Sequence, residues 1–163
     1  LFLLLFPEYD KNKKLLNIKG GVTMMILLTA FIYHFLLNGK DFTMQPIKTA
    51  EGLGSFLLHY YTPFFVFFDW LLWDKKGMFL QKAALYWAVI PYIYMILIFW
   101  VASKGSFIPN QNTNYPYKFI AVDLLGWERV LVNVIALSAC YIVVGYVYVG
   151  FDKLLSKAMQ HKR

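Results

Sequence analysis

Cysteine occurs once in 163 residues, as Cys140, which excludes an intrachain disulfide, a CxxC redox pair and a Cys/His zinc pattern. Histidine is almost as scarce: His34, His59 and the tail residue His161 are too widely separated to form a metal-ligand set. No phosphate-cradling glycine loop, HExxH, GxSxG or paired-carboxylate motif is present. The sequence therefore predicts neither a metal nor a cofactor. Charged residues make up only 15% of the chain, and nine of them are acidic. The resulting net charge of +7 is not gathered on a soluble face, so nucleic acid is not an expected partner.

What the chain has in abundance is apolar surface. Hydrophobic residues make up 60% and aromatic residues 20% of it, which rules out disorder. The few charges collect between apolar runs of about twenty residues, the length needed to cross hydrocarbon. This predicts an all-α fold, a polytopic transmembrane helix bundle forming a single domain over residues 1–163. Four full spans are expected, at 20–37, 53–73, 83–103 and 127–151. Leu1 to Phe6 is too short to span and lacks the flanks of a signal peptide, so it reads as the tail of an upstream span.

Orientation follows from lysine and arginine. The segment before the first full span, the loop between the second and third, and the tail together carry eleven of them, including Lys11, Lys19, Lys75, Lys76 and Lys153. The other side holds Lys40, Lys48, Lys104 and Lys118, with Arg129 just inside the last span. The richer side is expected to be cytoplasmic, with the C-terminus inside and the protein in the cell membrane. Trp70, Trp73, Trp100 and Trp127 suit interfacial anchors at the span ends.

Ionisable groups inside a span are costly unless they face a partner or a wet cavity. In the second full span Ser55, His59, Thr62 and Asp69 share an arc of roughly 80° on a helix advancing about 100° per residue. Pro63 leaves the carbonyl of His59 without its helical donor. Two readings are open for His59: a functional site, or a plain hydrogen bond to a neighbouring helix. His34 lies shallow in the first span, where a headgroup or structural role competes with a catalytic one. Asp69 is about 15 Å along the axis from His59, too far for a His-Asp pair, and is expected in a helix-helix or helix-terminus contact. In the last span Arg129, Asn133, Ala136 and Cys140 share a stripe suited to helix packing. The segment from Tyr115 to Asp123 is apolar but too short to span, so it lies in the outer interface or folds back over the bundle.

The stretch His59-Tyr-Tyr-Thr-Pro63, the following Asp69-Trp70, Pro91-Tyr92, and Tyr115-Pro-Tyr-Lys-Phe119 leading to Gly126 and Asn133 together resemble the Pr-six-Pr family of six-span bacterial membrane proteins. Tyr33-His34 fits the same pattern, and the resemblance covers the chain from Leu1 onward. That family is distantly similar to the androgen-induced and androgen-dependent TFPI-regulating membrane proteins, hydrolases of fatty acid esters of hydroxy fatty acids that use an intramembrane threonine and a histidine. The resemblance implies six spans in the complete protein, His59 as the catalytic histidine, and a threonine nucleophile on a helix upstream of Leu1. Within the chain the alternative nucleophiles are Ser55 and Thr62, one turn either side of His59.

The leading expectation is an intramembrane lipid-ester hydrolase or acyl-transfer enzyme opening to the outer leaflet, with His59 as general base. His34, Ser55, Thr62 and Tyr117 would line the substrate site, and membrane lipids and a lipid ester would be its partners. The alternative is a non-catalytic membrane protein, either a small-ligand carrier or a subunit packing in a homo-oligomer or complex.

Overall fold

The computed structural model describes residues 11–37, 49–105 and 112–161, so the stub Leu1 to Phe6 lies outside the described residues. Every regular element among those residues is helical, and no strand occurs. Helix α1 (Lys13–Ile32) begins earlier than the expected Gly20, because Asn12 caps it: its side chain accepts from the amides of Lys14 (3.1 Å) and Leu15 (3.2 Å). The helix continues into a π-turn, Tyr33–Leu37.

Thr49 caps α2 (Ala50–Phe56) by accepting from Gly52 N at 3.1 Å, with Glu51 in the favourable first turn. A second π-turn (Leu57–Tyr61) joins it without a break to α3 (Thr62–Trp73). The π-turn ends where Pro63 cannot donate a backbone hydrogen bond, so the ladder changes register at the proline.

The next helix is interrupted in the same way. Pro91 cannot bond the carbonyl of Trp87, and the chain breaks at Ala88 between α4 (Ala83–Trp87) and α5 (Val89–Ala102). The Tyr141 hydroxyl reaches the Trp87 carbonyl instead, at 3.4 Å. A 3-10 turn, Lys118–Ile120, leads into α6 (Val122–Gln160), which is interrupted at Gly126 by a positive φ of 73°.

Among the described residues three helices are long and apolar enough to cross a membrane: Lys13–Leu36, Ala83–Ala102 and Val122–Gln160. The rod formed by α2 and α3 is as long, but its His59-to-Pro63 stretch and Asp69 make it less apolar. The outer faces agree with an apolar surround: Ile96, Ile135 and Val147 are about two-thirds exposed, an arrangement unfavourable in water.

The core sits toward one end of the bundle, where Trp70, Phe79, Trp87 and Tyr148 pack around Met24 and Ala83. Gly20 and Gly21 let α1 approach the rings of Phe79 and Trp87, and Gly145 lets α6 approach Ala84. The loop after α3 is tied down by two buried side chains. Asn17 accepts from Leu80 N (2.9 Å) and donates to the Met78 carbonyl (3.0 Å), while Asp152 accepts from Phe79 N (3.2 Å). Asn17→Ala strands two of these backbone groups, and the expected loss is about 1–3 kcal/mol. Thermal unfolding in detergent reads it, and an unchanged Tm would show that the tie is dispensable.

At this same end Lys19 bridges Asp69 and Asp74, each at 2.5 Å, which places Asp69 in a contact between α1 and α3. Burial pushes the Asp74 carboxyl above the usual carboxylate range, against the opposing pull of Lys19. The Lys76 ammonium is pushed below its ordinary value by burial, opposed by Asp74 and Asp152. The stripe expected on α6 packs only in part within the chain. Arg129, Ala136 and Cys140 are exposed, and only Asn133 is held, donating to the Phe119 carbonyl at 2.8 Å. The inward face runs instead through Val130, Ser138, Tyr141, Gly145 and Tyr148, because an apolar helix has no polar face to fix its rotation and the small residues decide it.

Candidate functional site

His59 sits on the π-turn that precedes Pro63. Its Nδ1 lies 2.8 Å from the carbonyl oxygen of Ser55 and 3.3 Å from the Ser55 hydroxyl. A carbonyl can only accept, so Nδ1 carries the proton, and in the neutral ring Nε2 is the bare nitrogen. The imidazole stacks on Tyr33 at 3.8 Å between centroids and 10° between planes. Ser55 Oγ donates to the Tyr33 hydroxyl at 2.7 Å. The ring is thus fixed at one edge by its own helix and on one face by α1. Tyr33 opens the other π-turn, so two irregular turns meet at this histidine. Such turns concentrate at functional sites because they displace side chains from the regular helical register.

Beyond His59 lies a cavity of about 150 Å³ between α1, α5, α6 and the segment around Tyr117. That segment folds back over the bundle, with Ile120 buried against Ile98 and Val130. It is secured where Asp123 accepts from the Thr113 hydroxyl (2.6 Å) and Asn114 N (3.0 Å). The cavity wall is mainly apolar, with hydroxyls from Tyr33, Tyr94, Tyr117, Tyr141, Thr29 and Ser138. Tyr92 and Tyr94, 39% and 43% exposed, also line it.

Of the residues singled out from sequence, His59 and Tyr117 line this cavity. Ser55 lies behind the ring and acts on Nδ1 rather than Nε2. Thr62 directs its hydroxyl to the Leu57 carbonyl at 2.8 Å, a bond within its own helix. His34 pairs with the Tyr60 hydroxyl at 3.2 Å, outside the cavity lining. The structure adds Tyr33, Tyr94, Thr29 and Ser138. Thr29 on α1 and Tyr33 at the start of the following π-turn are one turn apart, a spacing legible in sequence, whereas nothing local links either to His59.

The two hydroxyls nearest in kind to a nucleophile are engaged with their own helices: Thr29 Oγ1 with the Met25 carbonyl (3.1 Å) and Ser138 Oγ with that of Val134 (2.6 Å). No cluster of three or more metal-ligating side chains occurs among the described residues. The arrangement can accept a proton at Nε2, donate hydrogen bonds from tyrosine hydroxyls, and receive an apolar group against a mainly apolar wall.

Comparison of the chain with protein-family models, with curated proteins and with solved structures finds no match.

Proposed function

We propose that this chain is an intramembrane hydrolase or acyl-transfer enzyme of lipid esters, with His59 as its general base. The observation that carries the reading is the tethered imidazole: Nδ1 is held by the Ser55 carbonyl while the ring borders a largely apolar cavity. A base fixed in orientation beside a largely apolar wall is suited to taking a proton from a hydroxyl as its oxygen attacks an ester carbonyl. The ester C–O bond then breaks, and the proton passes from His59 to the leaving alkoxide. Water completes hydrolysis, or a second alcohol completes acyl transfer.

The same reading includes membership of the Pr-six-Pr family, supported by the His59-to-Pro63 and Tyr115-to-Phe119 motifs. It includes four full spans here and six in the complete protein, a cytoplasmic C-terminus in the cell membrane, and substrate drawn from the outer leaflet. The attacking hydroxyl would be a threonine preceding Leu1. The second reading, a carrier or a packing subunit, is favoured by one specific observation: Thr29 and Ser138, the small hydroxyls of the cavity, donate to their own helices rather than to His59.

Hydrolysis of a short and a long acyl ester by the purified full-length protein in detergent tests the proposal. Turnover of either supports the enzyme, and ester binding without turnover would leave the carrier. Ser55→Ala separates two roles for that residue. The ring keeps its bond to the main-chain carbonyl, so a loss of less than about tenfold is expected from one neutral hydrogen bond. Complete loss of kcat in a folded Ser55→Ala protein would make Ser55 the nucleophile instead.

A further inference from the structure

Tyr94 on α5 and Tyr117 in the folded-back segment both line the cavity, with their hydroxyl oxygens 3.2 Å apart. Each has one proton, so one donates to the other and the acceptor keeps a proton for a third group. A donor that itself accepts a hydrogen bond is polarised and donates more strongly. Burial and the contact with Tyr94 push the Tyr117 hydroxyl well above the ordinary tyrosine value, so it stays protonated. The stack of Tyr117 on Phe119, 5.5 Å between centroids and 13° between planes, supports the ring's position.

The rest of the wall decides what this donor can meet. Among the described residues no lysine, arginine, aspartate or glutamate lines the cavity. The one described wall group that can gain positive charge is the His59 imidazole, so an anion there would be desolvated with no permanent cation to offset the cost, whereas a neutral carbonyl asks only for a hydrogen bond. The cavity is open on one side, and its volume of about 150 Å³ takes a portion of a guest of roughly benzene size, about six carbons.

We propose that the Tyr94–Tyr117 pair is the carbonyl-binding element of this cavity, and that its ligand is a neutral acyl compound with a short apolar chain inside. This rests on reading the cavity as the ester site and names its substrate class: an uncharged ester group, with any carboxylate of the molecule left outside. In the reaction the pair would donate to the carbonyl oxygen as negative charge develops on it.

A methyl ketone with a chain of about six carbons tests this, because it has the carbonyl and no leaving group. The full-length protein in detergent is titrated with the ketone and with the carboxylate of equal chain length, and the carbonyl stretch of the bound, isotope-labelled ketone is recorded. The expected result is a stretch lowered relative to detergent alone, with the carboxylate binding at least about tenfold more weakly. Tyr94→Phe/Tyr117→Phe together should abolish the lowered band and weaken ketone binding about tenfold, while each single variant keeps one donor. An unshifted band in the wild type, or carboxylate binding as tight as ketone binding, overturns the proposal without any variant. A shifted band in a protein that turns over no ester would sink the hydrolase and leave the carbonyl site standing. Turnover with no shift would do the reverse.

Discussion

His59→Gln is expected to lower ester turnover by about 10²–10⁴-fold, the usual contribution of a positioned general base. Glutamine is the discriminating choice because its amide can still donate to the Ser55 carbonyl, so the tether seen at Nδ1 is preserved in kind. What it lacks is a basic atom in place of Nε2. The loss should fall on kcat more than on KM, since His59 occupies one edge of a cavity whose other walls are unchanged. Gel filtration of the variant establishes that it is folded. Undiminished turnover in that folded protein would remove His59 from the chemistry and, with it, the central argument for an enzyme.

Gly20→Val is expected to destabilise the bundle by about 1–3 kcal/mol or more, the range for overpacking a close-fitted core. A Cβ at Gly20 would lie 2.7 Å from both Phe79 Cε1 and Trp87 Cζ2. Neither ring can move freely, because Phe79 and Trp87 are 4% exposed and pack on Tyr148 as well as on each other. Valine also adds two methyl groups that the interface has no room for. Gly54→Ala is the matched comparison: it is helical and an added Cβ meets nothing within 4 Å. There the change should be neutral or stabilising by up to about 1 kcal/mol, since alanine loses less freedom on forming a helix. Thermal melts of the two variants in the same detergent read both signs at once. Equal melting temperatures would mean that α1 does not pack on these rings.

Both predictions turn on contacts of different legibility in the sequence. The helical class followed from long apolar runs separated by charge, a pattern that needs no tertiary information. The ends of α1 and α6 did not follow, because lysines that read as loop residues belong to helices extending beyond the apolar stretch: α1 starts at Lys13 and α6 runs to Gln160. The His59–Ser55 bond was within reach, since residues four apart share a helix face. The Tyr33 stack was not. It depends on the rotation of one helix against another, which near-uniform apolarity leaves unspecified. Tyr94 was hidden for a related reason: in a chain so rich in tyrosine, a wall residue looks the same as an interfacial anchor. Arg129 lies on the exposed face of α6, so within the chain its stripe packs only through Asn133.

The Lys19 bridge to Asp69 and Asp74 also has a temporal side. A chain is synthesised from its N-terminus, so α1 meets the membrane before the two carboxylates fifty and more residues later have been made. On the proposed orientation, Lys19 counts at that stage among the positive charges beside the first helix. Once α3 arrives, the same ammonium becomes the clasp between the two helices. On that reading a single side chain serves first as a topological signal and then as an assembly contact, in an order set by the direction of translation.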